Sequence, residues 1–165
     1  MLSGSLLKYS GLAVALACCM ALPACNSVSN TTVSSNGTLW EATLLETTGS
    51  PSPYDFVTEF SIAANGALTF DGITFITNNP CFVSGATMAG QAALTVDTTT
   101  YAVTGTMNLA VQSGTPSGNA LQLTGTEVTG TETDGTLSSG VVTGNWALTG
   151  GSGCTEAGTF TLRQQ

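Results

Sequence analysis

The chain has no histidine, and its 165 residues hold two basic side chains, Lys8 and Arg163. Each absence removes a chemistry. Without histidine there is no Ser-His-Asp or Cys-His nucleophile activation and no imidazole-ligated metal. Lysine is missing after residue 8, so the rest of the chain has no amine for Schiff-base formation. Charged residues make up 7% of the chain, and ten of them are acidic. Such a surface repels nucleic acid phosphates, so nucleic acid is excluded as a partner. Low charge together with 42% apolar content argues against disorder. No P-loop or Rossmann glycine pattern opens a helix, and no organic cofactor or metal cofactor is called for.

Long apolar runs are also missing. The longest, Gly11 to Leu22, falls short of the about 20 residues that span a bilayer. It follows a start that carries Lys8 and precedes small residues, the layout of a secretory signal. Ala15-Leu16-Ala17 has the A-x-A form of a cleavage site before Cys18. The run Leu22-Pro23-Ala24-Cys25 resembles the lipobox of bacterial lipoproteins. That resemblance implies removal of residues 1–24, acylation of Cys25 and a lipid anchor in the membrane. Asn26 follows the cysteine, which within that family favours the outer membrane of a Gram-negative cell over retention at the inner one.

The cysteine count agrees with the lipobox. There are five: Cys18, Cys19, Cys25, Cys81 and Cys154. A cut before Cys18 leaves an odd number in an oxidising compartment. A cut before Cys25 removes two, lipid takes the third, and Cys81 and Cys154 remain as a pair. They are not in a C-x-x-C, so a structural disulfide is the expected outcome. The mature chain then has one base against ten acids, a formal charge of −9. Residues 25–36 comprise the lipidated cysteine and a Ser/Thr/Asn-rich linker without apolar periodicity. Residues 37–165 form the domain.

That domain reads as all-β. Helix formers are scarce and Thr and Val abundant. Apolar residues recur at period two, which buries one face of a strand and wets the other. The inward rows are Trp40-Ala42-Leu44, then Tyr54, Phe56, Phe60 and Ile62, then Leu68 and Phe70. Met88 to Val96, Tyr101 to Val111, Leu121 and Leu123, Val142 to Leu148, and Phe160 and Leu162 follow. Asn65-Gly66 is a strong hairpin turn, and Asp71-Gly72 is a turn or a bulge. A tripeptide of Val or Leu followed by Thr-Gly recurs at irregular spacing, which fits hairpins rather than a solenoid. The expectation is a single antiparallel meander of about eight strands, closed or nearly closed into a barrel; a two-sheet sandwich is the alternative. Closure removes the exposed edges of a sheet without lysine gatekeepers.

Gly37-Thr38-Leu39-Trp40 opens the first strand and Arg163 lies in the last. This resembles the calycin pattern of lipocalins and avidins, where a basic residue from the last strand covers a tryptophan of the first. The resemblance implies a Trp40–Arg163 closure and, as one reading, a ligand-holding barrel.

Paired carboxylates are the remaining acid–base option. Glu127, Glu132 and Asp134 cluster around the turn at Asp134-Gly135. A solvated hairpin loop is the ordinary reading, and a Ca²⁺ site is the one metal option those oxygens offer. Two function classes follow. One is a non-enzymatic envelope lipoprotein with a filled core, acting structurally or through its surface. The other is a lipocalin-like or avidin-like module for a small apolar or sugar-like ligand.

Overall fold

A computed structural model describes residues 35–83, 85–114 and 118–165. Cys25, residues 1–24 and most of the linker lie outside the described residues. Eight strands follow one another: β1 (Ser35–Glu46), β2 (Phe56–Ile62), β3 (Leu68–Phe75), β4 (Ala86–Val96), β5 (Ala102–Ser113), β6 (Ala120–Thr133), β7 (Thr136–Thr149) and β8 (Glu156–Gln164). All neighbours are antiparallel in one sheet of order β3-β2-β1-β8-β7-β6-β5-β4. The first and last strands pair from Trp40–Gln164 to Glu46–Gly158. The meander therefore curls into a nearly closed barrel, and the sandwich is ruled out. The remaining gap lies between β3 and β4, where the ordered contact is one bridge, Ala67 to Gln91.

Turn chemistry explains the connections. Asn65-Gly66 joins β2 to β3, with Gly66 at φ 80°. Asp134 and Gly135 both have positive φ between β6 and β7, as a type I′ hairpin turn requires. Asp71-Gly72 is a bulge rather than a turn. Thr58 pairs with Ile73 and Phe60 with Phe70, so two residues of β3 oppose Glu59 alone. Tyr101 departs from the expected inward row. It precedes β5, takes φ 58°, and is 55% exposed. The row begins instead at Val103.

The inward rows meet in one core. Eight strands enclose a space that side chains fill. Here large residues stand beside glycines across the ladder. Gly90 pairs with Leu109, Gly125 with Met107, Gly144 with Phe160 and Gly158 with Trp146. A Cβ at Gly144 would lie 2.0 Å from the Thr124 carbonyl oxygen, and one at Gly158 would lie 1.8 Å from that of Leu45. These Thr-Gly and Ala-Gly steps let neighbouring backbones approach while a bulky side chain fills the space each glycine leaves.

Gly144→Ala and Gly158→Ala are each expected to destabilise the domain by about 1–3 kcal/mol, the usual cost of overpacking. Gly151→Ala, where an added Cβ meets nothing within 4 Å, serves as the control. Urea unfolding of the three variants checks the order.

Candidate functional site

The barrel has two rims and one gap, and the candidate chemistry is distributed among them. One rim carries the start of β1, the end of β8 and the β2–β3 hairpin; call it the terminal rim. The opposite rim carries the β3–β4 and β7–β8 loops.

That opposite rim is plugged. Cys81 in the β3–β4 loop and Cys154 in the β7–β8 loop form a disulfide, with S–S 2.02 Å and Cα atoms 5.8 Å apart. The bond crosses the barrel end and ties the loop beside the gap to the far wall. Asn79 Oδ1 accepts from the Cys81 N–H at 2.9 Å, and Asn119 Nδ2 donates to the Cys81 carbonyl at 2.7 Å. Tyr54 packs its ring edge-on to Trp146 with centroids 5.8 Å apart, and its hydroxyl lies 3.5 Å from Cys81 Sγ. Phe82, an inward residue the period-two pattern could not flag in a loop, is buried and stacks on Phe75 at 4.9 Å. Trp146 Nε1 donates to the Leu45 carbonyl at 2.9 Å across the space Gly158 leaves open.

Two carboxylates stand on inward rows at this rim, and a third, Asp55, precedes β2. Glu46 continues the inward row of β1, and Glu156 that of β8. Glu156 Oε2 is shielded from solvent and has no hydrogen-bond partner among the described residues. Desolvation raises its pKa, and the neighbouring Glu46 raises it further. Burial also raises the Tyr54 hydroxyl, with Glu156 and Glu46 adding to the effect. Asp55 is raised by burial; the Leu44 N–H bonded to its Oδ1 opposes the shift, and Glu41 adds to it. The ionised forms are therefore the costly ones, and among the described residues no cation contributes to lowering these pKa values.

At the terminal rim Trp40 is fully buried and stacks on Phe60 with centroids 4.9 Å apart. Its Nε1 is buried without a partner among the described residues. The expected cover by Arg163 is not made. Arg163 lies opposite Glu41 and Val141 in the ladder and is exposed, on the outer face of β8. Trp40 faces inward, and parity separates the two side chains. Gln164 lies opposite Trp40 instead. Its Oε1 accepts from the Gly140 N–H at 2.9 Å, and its Nε2 donates to the Leu137 carbonyl at 3.0 Å. Gly140 leaves room for the indole, since a Cβ there would sit 2.4 Å from Trp40 Cη2. Leu137, fully buried here, was not read from the sequence because Ser139 at φ 53° interrupts the alternation of β7.

The acidic turn does not gather into a cation site. The Glu132 carboxylate accepts from the Gly135 N–H and so closes its own hairpin. Glu127 stands five residues earlier on β6, opposite Thr143. Among the described residues no three His, Cys, Asp or Glu side chains are placed to hold a metal ion.

The gap between β3 and β4 is where the core meets solvent. Inward residues of the other strands are mostly buried, but Phe70, Ile73, Phe75, Ala86 and Met88 at the gap are only partly so. Ile76 and Val83, in the loop that bounds it, are 54% and 76% exposed. Comparisons with protein-family models, with curated proteins and with solved structures found no match.

Two outcomes test this geometry. Glu156→Gln removes a carboxylate whose folded pKa lies above its unfolded value. The stability that such a group contributes is complete below the ordinary carboxylate range and is lost as pH rises through the raised pKa. The variant is therefore expected to melt about 1–3 °C higher than the parent near pH 7, with the difference vanishing near pH 3. Calorimetry at the two pH values checks it. For the disulfide, Cys81→Ser and Cys154→Ser should cost similar amounts, up to about 4 kcal/mol for a loop of this length. The double variant should be no worse than either single one, as denaturant titration would show.

Proposed function

We propose that this chain is a lipid-anchored domain of the bacterial cell envelope that acts through its surface, with neither catalysis nor an enclosed ligand. The filled interior carries this reading. Trp40, Trp146, Tyr54, Phe56 and Phe60 are buried within one barrel, with glycines beside the bulkiest neighbours. An eight-stranded barrel packed in this way has its binding potential on its walls and edges. The residue inventory supports the non-enzymatic part, since residues 25–165 contain neither His nor Lys. The lipobox-like run ending at Cys25 supports the anchor, and the outer membrane is its proposed location.

A second reading, the lipocalin-like binding module, rests on one atom. Buried polar groups are nearly always hydrogen-bonded, yet Trp40 Nε1 has no protein acceptor among the described residues. An interior ligand bearing an oxygen would satisfy it.

Mass spectrometry of protein extracted from host membranes tests the first reading. An acylated N-terminal Cys25 and no retained small molecule are expected. A chain beginning at Cys18 with Cys25 unmodified overturns the anchor. A small molecule that survives native ionisation from wild type, and is lost on Trp40→Phe, overturns the filled-barrel reading in favour of the second. Without a ligand, Trp40→Phe is expected to destabilise the domain by about 1–3 kcal/mol, because the void left beside Gly140 outweighs the removal of one unsatisfied donor.

A further inference from the structure

Tyr101 breaks a rule of turn chemistry. It closes the turn between β4 and β5, where its N–H donates to the Asp97 carbonyl at 2.7 Å and its own carbonyl accepts from the Glu132 N–H at 2.7 Å. Held by those two bonds, it takes φ 58°. That left-handed conformation suits glycine or asparagine at a hairpin and strains a bulky residue. Burial recovers little of the strain, since the ring is 55% exposed and is the one exposed aromatic among the described residues. Strained residues that their surroundings hold in place cluster at ligand clamps.

The two residues bonded to the Tyr101 backbone are both acidic. Asp97 follows β4 on one side, and Glu132 lies in β6 on the other. Both carboxylates are held. The Thr100 and Thr99 N–H groups, bonded to Asp97 Oδ1 at 3.0 and 2.8 Å, keep its carboxyl below the ordinary pKa. The Glu132 carboxylate accepts from the Gly135 N–H, and Asp134 is exposed in that same turn. Neither turn carries a base, and Arg163 stands on β8, with β7 and β6 between it and β5. The terminal rim thus presents an aromatic ring bracketed by fixed carboxylates, which have little side-chain freedom left to lose on binding.

We propose that Tyr101, Asp97 and Glu132 form a docking site for an arginine side chain of a partner protein. The inference rests on the surface-acting function proposed above and names its site and partner chemistry. The guanidinium would lie on the Tyr101 ring, whose face attracts a cation, and its N–H groups would donate to Asp97. A planar guanidinium, unlike a metal ion, takes one aromatic face and one carboxylate; Glu132 and Asp134 add their field. A second copy of this chain is disfavoured as the partner, because its one arginine, Arg163, is set against ten acids on the described surface.

The test uses the purified full chain in detergent, with backbone amide signals followed by NMR. The probes are a short Gly/Ser peptide with a central pair of arginines, the same peptide with glutamates in their place, and maltose. The arginine peptide is expected to shift the Asp97, Tyr101 and Glu132 signals saturably, and the other two probes to leave them unmoved. Tyr101→Asn and Asp97→Asn should each weaken binding of the arginine peptide by about two- to fivefold. Glu127→Gln removes the same charge about 15 Å along β6 from Glu132 and should leave the affinity unchanged at about 0.1 M salt. Tyr101→Asn should also leave the urea midpoint unchanged or raise it, since asparagine suits the turn that tyrosine strains. The proposal is overturned if the arginine peptide causes no shift, or if Glu127→Gln weakens binding as much as Asp97→Asn, which makes the attraction general. A lowered midpoint in Tyr101→Asn, which makes the ring structural, or shifts caused by maltose, which make the site saccharide-binding, overturn it equally. Each of these results leaves the anchored, surface-acting reading intact, since that reading is decided by the state of Cys25 and by retained ligand.

Discussion

Eight strands enclose a cylinder so narrow that side chains from opposite walls must share its axis. Everything else in this domain answers to that limit. Two tryptophans, a tyrosine and several phenylalanines cannot fit if every inward position is large. The ladder resolves the conflict locally. Gly144 stands beside Phe160, Gly158 beside Trp146 and Gly125 beside Met107. Each glycine gives up apolar burial and conformational restraint. In exchange a large ring lies flat against neighbouring backbone, as Trp146 does in reaching the Leu45 carbonyl. The same limit explains why the sequence carries so many Thr-Gly steps: threonine supplies the wet face and glycine the crowded one.

The barrel is closed where its ends in sequence meet and open where its middle lies. β1 and β8 are bonded along seven residue pairs, whereas between β3 and β4 the ladder pairing among the described residues is the one bridge of Ala67 to Gln91. The disulfide compensates at the loop between those parted strands. It holds Cys81 against the far wall at Cys154, and with it Phe82 over Phe75. Without that staple, the β3–β4 loop would be held to its neighbours by hydrogen bonds, among them Ile76 to Asp55, Thr77 to Pro53, Asn119 to Cys81 and Gly114 to Gly85, and by the Phe82–Phe75 stack. The gap and the staple are two aspects of one compromise, a sheet pinned at the rim and left unzipped along its length.

Much of this was legible in the sequence, for a physical reason. Period-two alternation is set by strand geometry, so Trp40-Ala42-Leu44 and Met107-Leu109-Val111 declared their faces without any tertiary information. The Cys81–Cys154 pair followed from counting thiols. What could not be read depends on places where the alternation is broken. Gly72 and Ser139 take positive φ and shift the register, which hid the continuity of β3 and the burial of Leu137. Tyr101 looks like the head of an inward row but turns out of the sheet. The Trp40–Arg163 pairing failed on parity alone: Gln164, one residue later, lies opposite the indole. The gap was invisible because hydrogen bonds between strands leave no trace in composition.

The place of β8 sets the order in which this architecture can be assembled. β1 to β3 form one run of hairpins and β4 to β7 another, each through neighbours in sequence. Apart from the Ala67–Gln91 bridge, the two runs are paired through the last strand, where Leu162 lies opposite both Ala42 and Val142. Before the final ten residues arrive, the two curved ribbons touch where Ala67 bridges Gln91, and they lack the strand that pairs with both of them. Closing the ring then brings together residues about 120 positions apart, the kind of long-range pairing that slows folding. β8 is the keystone of the arch, set last and bearing on both sides.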